Sequence, residues 1–221
     1  MSSPEPIIKI TDLRFNYPGR PEVLKGLSLA ADKETRLGIV GSNGSGKTTL
    51  LSVIMGLVKP KSGTVEILGR NCRKESDFKA VRPKLGFVFQ DANDQLFCPT
   101  VADDIAFGPL NLGRTKAEAA RIVAEVLGSL GLGDFGPRIT YDLSGGEKKL
   151  VALGTALALS PEILILDEPT TFLDDSAVSR LEAVLEKLNL PAVIVSHDQE
   201  FLARCTTSRL KMVDGILRPV V

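Results

Sequence analysis

The run Gly41-Ser42-Asn43-Gly44-Ser45-Gly46-Lys47-Thr48 constrains this chain more than any other stretch. It fits G-x-x-x-x-G-K-[ST], a phosphate-cradling P-loop that needs a strand before it and a helix after it. Leu37-Gly38-Ile39-Val40 supplies the strand-sized apolar run, and Thr49-Leu50-Leu51-Ser52-Val53-Ile54-Met55 supplies the apolar-faced helix. The glycines let the backbone approach a phosphate and turn N–H groups inward, while the helix N-terminus adds partial positive charge. Lys47 is then expected to reach the β- and γ-phosphates of a nucleotide, and the Thr48 hydroxyl to ligate Mg2+.

The flanking chain reads as alternating strands and helices. Strands are expected at Ile7–Leu13, near Val23–Ala30, at Arg36–Val40, Thr64–Leu68, Leu85–Phe89, Ile163–Leu166 and Ala192–Val195. Phe15–Gly19 reads as the turn ending the first strand, and residues 71–84 are too polar to place. Helix signals cluster from about Asp91 to Leu159: a short run at Val101–Phe107, a Thr115/Glu118 capping box before Ile122, Val123, Val126, Leu127 and Leu130, and Ser144 as the cap of a run to Leu159. A helix over Ser176–Leu188 and a hairpin through Asp214-Gly215 close the chain. This order implies a largely parallel sheet with a helical insertion between the two halves of its core.

Composition excludes several classes. A length of 221 residues suits one large α/β domain or two small lobes. The 27 basic and 27 acidic residues balance, so the net charge points to neither nucleic acid nor an anionic membrane surface. The longest apolar runs are strand-sized, well short of the roughly 20 residues that span a bilayer. Met1–Pro6 lacks the parts of a signal peptide, and the widely spaced Cys72, Cys98 and Cys205 fit a reducing compartment.

Chemistry-bearing residues stand where strands end. Asp167-Glu168 follows a buried apolar strand, the position where parallel sheets place ligand groups. Asp167 is expected to hold Mg2+, directly or through water, and Glu168 to polarise an attacking water. Leu143-Ser144-Gly145-Gly146-Glu147 opens a helix, which locally reads as an ordinary N-cap but also suits an anion. His197 is the single histidine and follows another strand's carboxyl end; lone histidines are more often structural, but this sheet edge favours a functional role.

Together, Tyr17, the P-loop, Gln90, Leu143–Glu147, Ile163–Glu168, Leu173-Asp174 and His197 stand in the order of the ATP-binding cassette (ABC) family. They resemble its A-loop aromatic, Walker A, Q-loop, signature, Walker B, D-loop and H-switch. The resemblance implies an α/β P-loop NTPase fold with a mostly parallel core sheet, an antiparallel β subdomain and a helical subdomain. It implies a single ABC ATPase domain over 1–221, with 1–90 and 160–221 as core and β subdomain and about 91–159 as helical subdomain.

Its cofactors would be ATP and Mg2+. Gly41, Ser42, Asn43, Gly44, Ser45, Gly46, Lys47, Thr48 and Thr49 would hold the nucleotide, with Tyr17 stacked on adenine. Thr48, Gln90 and Asp167 would face the metal, and Glu168 and His197 would act in catalysis. The family binds ATP between two head-to-tail cassettes. Ser144, Gly145 and Gly146 would therefore contact the γ-phosphate held by a second cassette, with Asp174 supporting communication across the pair.

A narrower resemblance runs from Phe87 through Gln90-Asp91-Ala92-Asn93-Asp94-Gln95-Leu96-Phe97 to Gly113. It is similar to the ATPases of energy-coupling-factor (ECF) importers, especially cobalt and nickel systems. That resemblance implies a transmembrane coupling protein, a substrate-binding membrane protein and a peripheral place on the cytoplasmic membrane face. Asp91, Asp94, Asp103 and Asp104 are expected to face basic residues on the coupling protein. A cobalt or nickel importer leads, ahead of biotin or another vitamin. A soluble ABC ATPase would usually carry two cassettes or long coiled coils, and a non-hydrolytic cassette would not need Lys47, Asp167, Glu168 and His197 intact.

Departures from the family are Glu147 in place of Gln and bulky Phe172 in the D-loop. ECF ATPases of the vitamin-sharing type usually carry a longer C-terminal extension than the one ending at Val221, so a weak dimer or a monomer is expected without nucleotide.

Overall fold

The computed structural model describes residues 5–220; Met1–Pro4 of the N-terminal stretch and Val221 lie outside the described residues. Its central element is a six-stranded sheet ordered β10-β9-β3-β8-β7-β6. Here β3 is Arg36–Val40, β6 Leu85–Val88, β7 Ile163–Asp167, β8 Ala192–Val195, β9 Ser208–Val213 and β10 Ile216–Pro219. Every pairing is parallel except the closing β9–β10 hairpin. A second, antiparallel sheet is ordered β2-β1-β4-β5, with β1 at Ile8–Asn16, β2 at Glu22–Ala31, β4 at Ser62–Ile67 and β5 at Arg70-Asn71. The fold is thus the α/β architecture the sequence implied.

Side-chain alternation explains why the parallel strands read as unbroken apolar runs. Successive residues of a strand point to opposite faces, and this sheet is covered on both. Leu164, Leu166 and Ile194 pack into one core, beneath the helices. Ile163, Ile165, Val193 and Val195 pack into another, shared with the antiparallel sheet and α1 (Lys47–Ile54).

Three helices sit between β6 and β7 in the chain: α3 (Val101–Asn111), α4 (Lys116–Ser129) and α5 (Gly145–Leu157). The expected Thr115 capping box forms, and the Ser144 cap proves to be a second one. The Thr115 hydroxyl accepts from Glu118 N at 3.2 Å while Glu118 accepts from Thr115 N at 2.8 Å, and Ser144 and Glu147 repeat the exchange at 3.2 and 2.8 Å. Two further helices, α6 (Asp175–Leu188) and α7 (Gln199–Cys205), flank β8.

The structure revises four local readings. The first strand runs on through Asn16, so Phe15 is a buried core residue rather than part of a turn. The unplaced stretch contains α2 (Glu75–Val81), whose polar start is a cap: Asp77 accepts from the N–H groups of Arg73 and Lys74. Phe78 and Val81 were the buried pair that marked it. Helix α3 continues past Phe107 to Asn111, through Pro109.

The fourth correction concerns Asp104, which is 3% exposed and cannot meet a partner as a surface charge. Its carboxylate accepts from the N–H groups of Phe97 and Cys98 at 3.0 Å and from the Thr140 hydroxyl at 3.0 Å. It folds the 97–98 loop onto α3, which sets Phe97 edge-on against Phe107 with ring centres 4.8 Å apart.

Candidate functional site

The P-loop, Asp167, Glu168 and His197 all lie at or beyond the carboxyl ends of β3, β7 and β8, three neighbouring parallel strands. The loop's geometry rests on glycine. A Cβ at Gly41 would stand 2.6 Å from the Met212 carbonyl, and Gly46 caps α1 at φ 108°, a region that L side chains avoid. No side chain caps α1. Its first N–H groups are therefore left for a ligand, which suits an anion.

Lys47 is buried and folds back, its ammonium donating to the carbonyls of Gly41 at 2.7 Å and Ser42 at 3.2 Å. A pocket of about 390 Å³ opens in front of it, lined by Tyr17, Asn43, Thr48, Thr49, Gln90 and Glu168 among others. The Tyr17 hydroxyl lies 3.3 Å from the Thr49 hydroxyl, and its ring is held edge-on by Phe15. The pocket thus gathers an aromatic wall, a glycine-rich anion cradle and a carboxylate.

Asp167 is 2% exposed, and its Oδ1 has no hydrogen-bond partner. Burial pushes its carboxyl pKa above the usual range, opposed by the Thr48 hydroxyl and raised further by Glu168. A buried carboxylate with an orphaned oxygen beside a threonine hydroxyl is hard-oxygen chemistry, which fits Mg2+. The Ser45 hydroxyl is likewise buried without a partner inside the loop.

Glu168 adopts φ 47°, a left-handed conformation that costs a glutamate on the order of 1–2 kcal/mol. The cost buys a fixed aim, since strain of this kind concentrates at functional sites. Its Oε2 accepts from His197 N at 3.1 Å and lies 2.7 Å from His197 Nδ1, leaving the imidazole largely exposed. Carboxylate and imidazole are therefore joined before any ligand arrives.

The signature residues are elsewhere. Ser144, Gly145, Gly146 and Asp174 line a separate concavity of about 730 Å³, together with Phe172 and Arg180, and share no wall with the P-loop pocket. Asp174 caps α6, accepting from Ala177 N at 2.7 Å. Phe172 stands 77% exposed at φ 68°, and a Cβ on Gly145 would lie 3.3 Å from the Phe172 Cβ. Glu147, the departure from the family pattern, is bridged by Arg138 at 3.2 Å, and that guanidinium stacks on Phe135.

Sequence reading missed some of this neighbourhood. Arg20 and Val23 line the P-loop pocket. Lys149 is buried under the Q-loop, and its place three, four and seven residues before the buried Ala152, Leu153 and Ala156 was the available signal. Phe97, Phe107, Leu110 and Leu112 are exposed apolar side chains in the same stretch of chain as Asp91, Asp94 and Asp103.

Comparison with known proteins places these observations. The family model for ABC transporters matches residues 24–171. A putative ABC transporter ATP-binding protein of Nitratidesulfovibrio vulgaris is 48% identical over 213 residues, covering 96% of this chain and 78% of that protein. The energy-coupling factor ATP-binding protein EcfA of Methanothermobacter thermautotrophicus is 40% identical over 202 residues, covering 90% of this chain and 65% of its own length. The solved cbiO1 of Clostridium perfringens, described as part of the ABC transporter complex cbiONQ, superposes with a TM-score of 0.86 at 31% identity over 96% of this chain and 87% of that one. A dimeric ATP-binding cassette solved with ADP and Pi superposes with a TM-score of 0.87 at 28% identity, over 96% of both chains. The chain belongs to the ABC transporter ATP-binding family, and it is an ATPase.

Proposed function

We propose that this ABC ATPase powers a membrane importer of the ECF type, with cobalt or nickel as cargo. The observation that supports a paired mechanism is the separation of the two concavities. One is lined by the phosphate cradle, Thr48, Gln90 and Glu168, the last joined to His197; the other is lined by Ser144, Gly145 and Gly146 of the signature. A single copy then binds ATP, and a second copy supplies Ser144 and Gly146 to its γ-phosphate.

Each residue has a task in this reading. Tyr17 stacks on the adenine, and Lys47 leaves the Gly41 and Ser42 carbonyls for the β- and γ-phosphates. Thr48, Asp167 and Gln90 would hold Mg2+, which when bound would supply charge neutralisation for the phosphoryl group. Glu168 takes a proton from the attacking water, and His197 holds both the γ-phosphate and the Glu168 carboxylate. Preset donors around a fixed phosphate carry most of such catalysis, because little covalent chemistry is left for the protein.

The domain division proposed is a core with its β subdomain over 1–90 and 160–221 and a helical subdomain over about 91–159. The membrane-facing surface is drawn from the latter. With Asp104 withdrawn into the fold, Asp91, Asp94 and Asp103 remain for basic partner residues, and the exposed Phe97–Phe107 pair adds an apolar anchor. No helix among the described residues is long and apolar enough to cross a membrane, so binding to transmembrane partners would place the chain peripherally on the cytoplasmic face. Relatives named EcfA and the cbiONQ membership of cbiO1 support the importer type.

Copurification with neighbouring-gene membrane proteins, followed by radiolabelled cobalt, nickel and biotin uptake, tests this reading. ATP-dependent metal uptake is expected; uptake of biotin alone would replace the cargo, and no membrane partner would overturn the importer role.

A further inference from the structure

Burying an ammonium costs several kcal/mol unless hydrogen bonds repay it, so each one needs an account. Lys149 is 3% exposed on the second turn of α5. Its Nζ donates to the Gln90 carbonyl at 2.6 Å and the Phe89 carbonyl at 3.1 Å. These carbonyls lie just past the end of β6, where no strand partner serves them. The two bonds fix the peptide planes on either side of Gln90, which lines the P-loop pocket.

Two more contacts clasp the same segment to α5. Gln95 donates to the Ala152 carbonyl and the Thr155 hydroxyl, both at 2.8 Å, and accepts from Phe89 N at 3.0 Å. Lys148 donates to Asn93 Oδ1 at 3.0 Å. Ser144 begins this helix only five residues before Lys149, about 7.5 Å along its axis at 1.5 Å per residue. One rigid helix end therefore carries the signature hydroxyl and grips the backbone of the residue that faces the other concavity.

We propose that Lys149 is a positioning residue, which aims Gln90 into the nucleotide pocket and ties that aim to the signature end of α5. The role rests on the reading that Gln90 reaches the Mg2+ of bound ATP. Partners that orient a metal-facing group typically cost 10- to 100-fold in affinity or activity when removed.

The test compares Lys149→Met, Lys149→Arg and Gln90→Ala, alone and combined, in the full chain. In the protein free of nucleotide and Mg2+, Lys149→Met should speed amide hydrogen exchange across 89–91 while leaving exchange in the P-loop unchanged. With ligands present, it should keep ATP affinity within about twofold of wild type, raise the Mg2+ needed for half-maximal turnover and lower kcat about 10- to 100-fold. Adding Gln90→Ala to Lys149→Met should cost no more than about a further twofold, and Lys149→Arg should restore most of kcat.

Independent, multiplying losses would overturn the proposal, as would unchanged exchange at 89–91. Unfolding of both Lys149 variants would assign the residue to stability alone and overturn it too. Wild-type Mg2+ dependence in Gln90→Ala would instead overturn the reading of Gln90 and take the positioning role with it. That single-variant result separates the two failures.

Discussion

The two helix starts that face the two concavities look alike in sequence and differ in state. Both follow small residues, and both present N–H groups to an anion. Helix α1 begins at Gly46 without any side-chain cap, whereas α5 begins at Ser144 with two of its donors, Ser144 N and Glu147 N, already satisfied by the Glu147 carboxylate and the Ser144 hydroxyl. An open helix start binds phosphate without displacing anything. A capped one offers fewer free donors, so it gains less from a lone anion. In the paired mechanism proposed above, this difference would order events: the P-loop would take the nucleotide first, and the signature would join when a second copy brings it to a fixed γ-phosphate.

The comparison breaks most visibly at Glu168. Glu168→Gln keeps the shape of the P-loop pocket but removes the proposed base. Turnover should fall about 10²- to 10⁴-fold with ATP affinity nearly unchanged, read by single-turnover kinetics and equilibrium binding. Loss of ATP affinity by the same factor would move Glu168 from catalysis to binding.

Asp104 tests whether the helical region can be loosened apart from the P-loop. Asp104→Asn swaps a carboxylate serving three donors for a carboxamide that cannot accept as well from all of them. It should cost about 2 kcal/mol, lowering the thermal midpoint by roughly 4–8 °C while nucleotide affinity stays near wild type. Asp103 exchanges only with the exposed Thr100 cap, so Asp103→Ala should cost about 0.5–1 kcal/mol.

Ser144→Ala sharpens the contrast between the two helix starts. It should cost about 1 kcal/mol of stability through the lost cap and lower turnover severalfold, with no change in ATP affinity of the single copy. A smaller effect is expected at Arg138, whose guanidinium offsets Glu147 beside the signature. Arg138→Met should slow turnover a few-fold, most at low salt, because the freed carboxylate repels an incoming phosphate. The smallest belongs to Phe172. Phe172→Gly removes the left-handed strain of about 1–2 kcal/mol but adds unfolded-state entropy of about 0.5–1 kcal/mol, so net stabilisation should stay below about 1.5 kcal/mol in chemical denaturation.

The two regions were also unequally legible in the sequence. The P-loop, Asp167, Glu168 and His197 announced themselves because each sits at a strand's carboxyl end, and strand-sized apolar runs are plain to read. Asp104 and Lys149 were not read for what they are because burial depends on tertiary contacts. Two adjacent aspartates on a short helix look like solvated charge until a loop folds over one of them. Lys149 lay inside a basic pair, Lys148-Lys149, of which the first reaches out to Asn93 and the second turns under the Q-loop. Helix α2 escaped for a related reason: its buried apolar content is one Phe and one Val, too little for a period to show. The separation of the two concavities follows from the fold, and no motif spacing reveals it.

Turnover per chain as a function of protein concentration tests the central claim most directly. If a second copy must complete the site, specific activity rises with concentration and then saturates, and Glu168→Gln with ATP sediments as a dimer. A per-chain rate that stays constant to the lowest concentrations, from a chain that sediments as a monomer with ATP bound, would contradict it.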